Sequence, residues 1–121
     1  QSAKAEFNTD VEFNVDIVIT KNWEDDGSQD ENRDEITIKL YDGNNNLLQE
    51  IILNNDNNWT VTIEDLPKYD ENYMEIQYTV VEDEVPIGYI STIEKVIEEN
   101  IINFNITNKS AIIFPETGGI R

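Results

Sequence analysis

Lys21, Glu82 and Asn108 each stand where an alternating run of apolar residues would place one more apolar side chain. Every second residue reads Phe13, Val15, Ile17, Ile19 and then Lys21. A second run reads Ile76, Tyr78, Val80 and then Glu82, and a third reads Ile102, Phe104, Ile106 and then Asn108. Side chains two apart on a strand share a face. The inward faces of three strands therefore deliver an amine, a carboxyl and a carboxamide towards one core. A lysine buried among Phe13, Ile17 and Ile19 is costly to keep charged, which frees its lone pair for attack. A carboxyl taken out of water holds a proton more readily, and can donate it to a carboxamide oxygen and polarise the carbon. Attack by Lys21 on the Asn108 carbon, with Glu82 shuttling protons and ammonia leaving, yields an isopeptide bond. Proximity is the fold's main contribution, because amides are poor acyl donors. The reaction runs once per molecule and needs no cofactor or metal. Taken singly, each residue could instead mark where burial stops, with the lysine snorkelling to water; it is their joint occurrence that points to chemistry.

The elements that must position this trio are short alternating runs separated by turn-rich segments, the pattern of an all-β sandwich. Strands are expected over Val11 to Trp23, Glu35 to Tyr41, Leu47 to Leu53, from Trp59 through Ile63, Tyr73 to Glu82, Tyr89 to Ile97 and Ile101 to Asn108. Leu47 to Leu53 alternates too irregularly to assign faces. Glu64 to Glu71 reads as a loop, because Pro67 cannot donate to a ladder. The segment 1–10 reads as a linker or the end of a preceding domain, 11–110 as the sandwich, and 111–121 as a tail broken by proline and paired glycines.

Composition narrows the function classes. The 121 residues carry 26 acidic and 8 basic side chains, a formal net charge of −18. Such a chain repels nucleic acid and anionic lipid, so neither is an expected partner. With no cysteine and no histidine, disulfides, Cys/His zinc sites and histidine-based triads are excluded. No stretch is long and apolar enough to span a membrane as a helix. Asp25, Asp26, Asp30, Glu31 and Asp34 offer oxygen ligands for calcium but lack the EF-hand order, which favours a solvated loop. Trp23 and Trp59 are expected in or around the core. Asn58, Asn105 and Asn108 begin glycosylation sequons of the kind that asparagine-rich chains produce by chance.

An ordered set of short motifs resembles the collagen-adhesin B-type (Cna B-type) domain of Gram-positive surface adhesins and pilins. It runs from Ile19-Thr20-Lys21-Asn22-Trp23, followed by the Asp-Asp-Gly loop, through Ile38-Lys39-Leu40-Tyr41, Trp59-Thr60-Val61 and Leu66-Pro67-Lys68-Tyr69-Asp70. Tyr78-Thr79-Val80-Val81-Glu82, Pro86-Ile87-Gly88-Tyr89 and Ile106-Thr107-Asn108 complete it. The resemblance covers about Val15 to Asn108 and implies an Ig-like or prealbumin-like β-sandwich of about seven strands. It also implies a lysine–asparagine cross-link assisted by glutamate, roles that fall on Lys21, Asn108 and Glu82. Asp34 follows Arg33 where many relatives have proline, a departure expected to affect only a loop.

The segment Phe114-Pro115-Glu116-Thr117-Gly118 is similar to a sortase sorting motif, with Phe where Leu is more usual. That similarity implies cleavage between Thr117 and Gly118 by a sortase transpeptidase and attachment to the cell wall or to neighbouring pilin subunits at the cell surface. Lys4, Lys68 and Lys109 are candidate acceptors if subunits polymerise. The first expectation is thus a structural stalk or pilin module stabilised by its own isopeptide bond. By analogy with loop closure in disulfides, that bond would add roughly 4 to 5 kcal/mol and resist force applied through the termini. The alternative is an adhesive module that binds a host protein through exposed loops. An acid-pair hydrolase is disfavoured, since a glycosidase needs two carboxyls across a cleft.

Overall fold

β-Branched and aromatic residues at every second position commit seven segments to strands, since such side chains pack well on a pleated, half-buried surface. A computed structural model of the chain describes residues 13–111. Within it run β1 (Asn14–Glu24), β2 (Ile36–Tyr41), β3 (Leu47–Leu53), β4 (Thr60–Pro67), β5 (Thr79–Asp83), β6 (Tyr89–Glu98) and β7 (Ile101–Ser110). They form two facing sheets, one ordered β4-β1-β7-β6 and the other β3-β2-β5. The fold is an all-β sandwich of seven strands, and its helical content among the described residues is a short 3-10 turn over Asn55–Asn57.

β1 and β7, first and last in the chain, are parallel neighbours in the middle of the larger sheet, from Asp16↔Ile101 to Glu24↔Lys109. β4 and β6 flank them in antiparallel register. The interior is filled by alternate residues of facing strands. Ile17 and Ile19 of β1, Ile38 and Leu40 of β2, Leu53 of β3 and Ile106 of β7 are wholly excluded from solvent.

The strand pattern needs four corrections. Phe13 is 61% exposed and meets Tyr69 edge to face at 6.2 Å. β1 begins only at Asn14 and carries a register shift between Val15 and Ile17, so the inward series starts at Val15. β4 begins at Thr60, because Asn58 and Trp59 take left-handed φ angles of 57° and 61° to turn the chain. It then continues to Pro67, a position open to proline because β4 is an edge strand and Pro67 is its last residue. β5 is shorter than the alternation suggested. Residues 73–78 precede it outside any strand, held by a Tyr69↔Glu75 bridge, by the Ile76 N–H donating to the Lys68 carbonyl at 2.9 Å and by the Asp70 N–H donating to the Met74 carbonyl at 2.9 Å. The irregular β3 buries Ile51 and Leu53 while Leu47 to Glu50 stay exposed.

Candidate functional site

Alternation carries Lys21, Glu82 and Asn108 to one end of the core, and all three are buried, at 3%, 7% and 0% relative exposure. Lys21 follows Val15, Ile17 and Ile19 on the inner face of β1, its backbone N–H donating to the Trp59 carbonyl at 2.8 Å. Asn108 ends the inner face of β7, where its backbone partners are Trp23 of β1 and Ser91 of β6. Glu82 comes from the opposite sheet, on β5 beside Ile38 of β2. Amine and carboxamide thus belong to one sheet, and the acid reaches them across the sandwich.

One carboxylate oxygen joins all three groups. Lys21 Nζ donates to Glu82 Oε2 at 3.1 Å, and Asn108 Nδ2 donates to the same oxygen at 2.9 Å. The second oxygen, Oε1, accepts from Ser91 Oγ at 2.7 Å. Asn108 Oδ1 is buried and makes no hydrogen bond. Burial is the largest influence on the Lys21 amine and pulls its pKa down; Glu82 opposes this, and the positive charge of Arg33 adds to it.

Aromatic rings roof the site. Lys21 Nζ lies 4.1 Å from the Trp23 ring centroid. Trp23 meets Trp59 and Tyr89 edge to face at 5.4 and 5.2 Å. Both tryptophans pack against the core.

Two contributors escaped the sequence reading. Ser91 lies on β6 opposite Asn108, a strand whose every second residue (Tyr89, Ser91, Ile93, Lys95, Ile97) forms no unbroken apolar run that could mark it. Arg33, read only as part of a loop, has its guanidinium carbon 4.3 Å from the centroid of the same Trp23 ring that Lys21 contacts. Its Nη2 pairs with Asp25 at 2.9 Å and Asp30 at 2.6 Å.

Other candidates fall apart or elsewhere. Two of the five acidic residues weighed for calcium, Asp25 and Asp30, are engaged by Arg33, and no group of three or more potential ligands converges among the described residues. Asn108, as a sequon residue, has no exposed surface. Lys68 donates to Asn100 Oδ1 at 3.3 Å, and Lys109 is exposed on β7. Lys4 and the motif Phe114, Pro115, Glu116, Thr117 and Gly118 lie outside the described residues.

Comparison with known proteins supports the same frame. The family described as the Cna protein B-type domain matches residues 17–109. The collagen adhesin of Staphylococcus aureus is 35% identical over 84% of this chain, which spans only 8% of that protein. The crystal structure of a single B repeat unit (B1) of the S. aureus collagen-binding surface protein superposes with a TM-score of 0.68 at 31% identity, covering 82% of this chain and 51% of that one. The full-length major pilin RrgB of Streptococcus pneumoniae gives 0.54 at 25% identity, over 78% of this chain and 15% of the pilin. With the matched segment spanning nearly the whole sandwich, the chain belongs to the Cna protein B-type domain family.

Proposed function

We propose that the chain is a structural stalk or pilin module of a cell-wall-anchored surface protein, held by an autocatalytic isopeptide bond between Lys21 and Asn108. The observation that carries the reading is the shared oxygen, with the Lys21 amine and the Asn108 carboxamide both bonded to Oε2 of one buried acid. Transfer of one proton from Nζ to Oε2 frees the Nζ lone pair, the neutral amine being the form that burial favours for Lys21. A half turn of the carboxamide about Cβ–Cγ brings Oδ1 onto the protonated oxygen, which polarises Cγ. The Nζ lone pair attacks Cγ, the Nζ–Cγ bond forms, and Glu82 returns the proton to the departing nitrogen as the Cγ–Nδ2 bond breaks. Nζ then passes its second proton to Glu82, which gives it up to the leaving ammonia, so that ammonium departs and Glu82 ends as the carboxylate it began as.

The resemblance of 114–118 to a sorting motif supports anchoring through a sortase, with the cell wall or a neighbouring subunit as acceptor. Incubation with a sortase and an amine nucleophile should release Gly118 onward. Intact mass tests the bond: the chain should weigh one ammonia less than its sequence, and Lys21→Ala should restore the full mass. A parent chain of full mass would end the cross-link reading.

A further inference from the structure

The β1–β2 loop builds a clamp whose object is Arg33. Its side chain is 4% exposed. Nη2 donates to Asp25 at 2.9 Å and to Asp30 at 2.6 Å, and Nη1 donates to the Tyr89 hydroxyl at 3.5 Å. Tyr89 in turn donates to the other oxygen of Asp25, and the Gly27 N–H donates to Asp25 Oδ1 at 2.9 Å. Gly27 holds the left-handed turn, φ 80°, that folds the loop back on itself. This ordering fixes the guanidinium over Trp23, the ring that also receives the Lys21 amine. A solvated surface loop has no need of so many bonds to one cation.

We propose that Arg33 is a positioning residue for the cross-link: clamped by Asp25, Asp30 and Tyr89 over the Trp23 ring that also meets the Lys21 amine, it closes that end of the core and holds a guanidinium beside the reacting group. The inference rests on the Lys21–Asn108 reading for its purpose, although its physical content is independent of it. Two charges bear on the amine. Glu82, from β5, favours the ammonium, whereas Arg33, from the β1–β2 loop, opposes it. Asn108 of β7 is neutral, and Asp25 and Asp30 are bonded to the guanidinium. Two cations that share one indole also weaken each other's attraction to its face. Arg33 itself stays charged, its pKa raised chiefly by the hydrogen bond to Asp25.

The test has two arms. In an Asn108→Ala background the amine cannot be consumed, and Lys21 is titrated by NMR of its side-chain nitrogen. Arg33→Gln should move the midpoint upward, while Arg33→Lys, which restores the charge, should return it towards the parent. Should Arg33→Gln fail to fold, Arg33→Met keeps the stem packed on Trp23 and gives the same comparison. In the second arm, full chain recovered unreacted from denaturant is refolded across a pH series and its mass followed with time. Arg33→Gln should react about three- to tenfold more slowly than the parent near pH 7 and converge with it at high pH. A loss of mere support would slow the reaction equally at every pH. An unchanged Lys21 midpoint in the neutral variants overturns the role given to Arg33. A parent that never loses ammonia overturns the cross-link instead, and the first arm still decides on Arg33.

Discussion

At one end of the sandwich Lys21 meets Asn108 through Glu82, and at the other Lys68 donates directly to Asn100 at 3.3 Å. The second pair joins the end of β4 to the turn between β6 and β7, roughly 20 Å along β1 from the first. By distance alone it is as well placed for an amine to meet a carboxamide. Yet Lys68 and Asn100 are only half-buried, and among the described residues no carboxyl bonds to either side chain. Proximity is common to both ends, whereas dryness and a carboxyl bonded to both groups belong to one. A protein can therefore hold many lysine–asparagine contacts and react at a single one, because an amide yields to an amine only when both charge states are arranged for it.

The comparison breaks most readily at Glu82. Glu82→Gln keeps the shape of the buried site but removes the proton carrier, so the full mass should return. The melting temperature should fall by about 20 °C or more if the bond is worth 4 to 5 kcal/mol. Retention of the ammonia deficit in Glu82→Gln would show that burial and proximity suffice. Ser91→Ala should act less severely. It leaves Oε1 without its partner at 2.7 Å and should slow the mass change by up to roughly tenfold without abolishing it. A rate equal to the parent's would remove Ser91 from the site.

Acid should reveal the clamp around Arg33. The hydrogen bond from Arg33, and then that from Tyr89, hold the Asp25 carboxyl well below the ordinary carboxylate range. A folded-state pKa depressed in this way gives stability that is present above the ordinary carboxylate range and is lost as pH falls through the depressed value. Thermal melts from pH 6 downward should therefore decline less steeply in Asp25→Asn than in the parent, and parallel declines would contradict the assignment. The smallest effect belongs to Lys68→Met: the deficit should remain one ammonia, with stability changed by about 1 kcal/mol or less. A parent deficit of two ammonias, reduced to one by this substitution, would make the two ends equivalent after all.

How far these features were legible follows from the range over which each signal acts. Lys21, Glu82 and Asn108 were readable because side-chain direction on a strand is set by parity alone, and parity survives errors at strand ends. Phe13 escaped for the converse reason: the periodic pattern runs on, but β1 begins at Asn14 and its register shifts just beyond. The extent of β4 through Pro67 depended on edge position, a property of the assembled sheet. Arg33 was hidden because its partners, Trp23, Asp25 and Tyr89, come together only when the loop folds back over β1 and meets β6. Ser91 was hidden because β6 alternates too irregularly to mark an inward face, and only its pairing opposite Asn108 brings it to the site.

The parallel pairing of β1 and β7 has a consequence for length. The chain enters this pair at Asn14 and leaves it at Ser110, so entrance and exit lie at opposite ends of a strand pair roughly 35 Å long. Copies joined in series would each add an increment of that order. With Lys21 bonded to Asn108, the covalent line from entrance to exit runs up β1, across the bond and out along the last residues of β7. Everything between Lys21 and Asn108 hangs beside that line as a closed loop. Even fully unravelled, the loop could release none of its contour length, on the order of 300 Å, into the span. A string of such modules would behave as an inextensible rod whose reach is set by strand geometry rather than by folding stability.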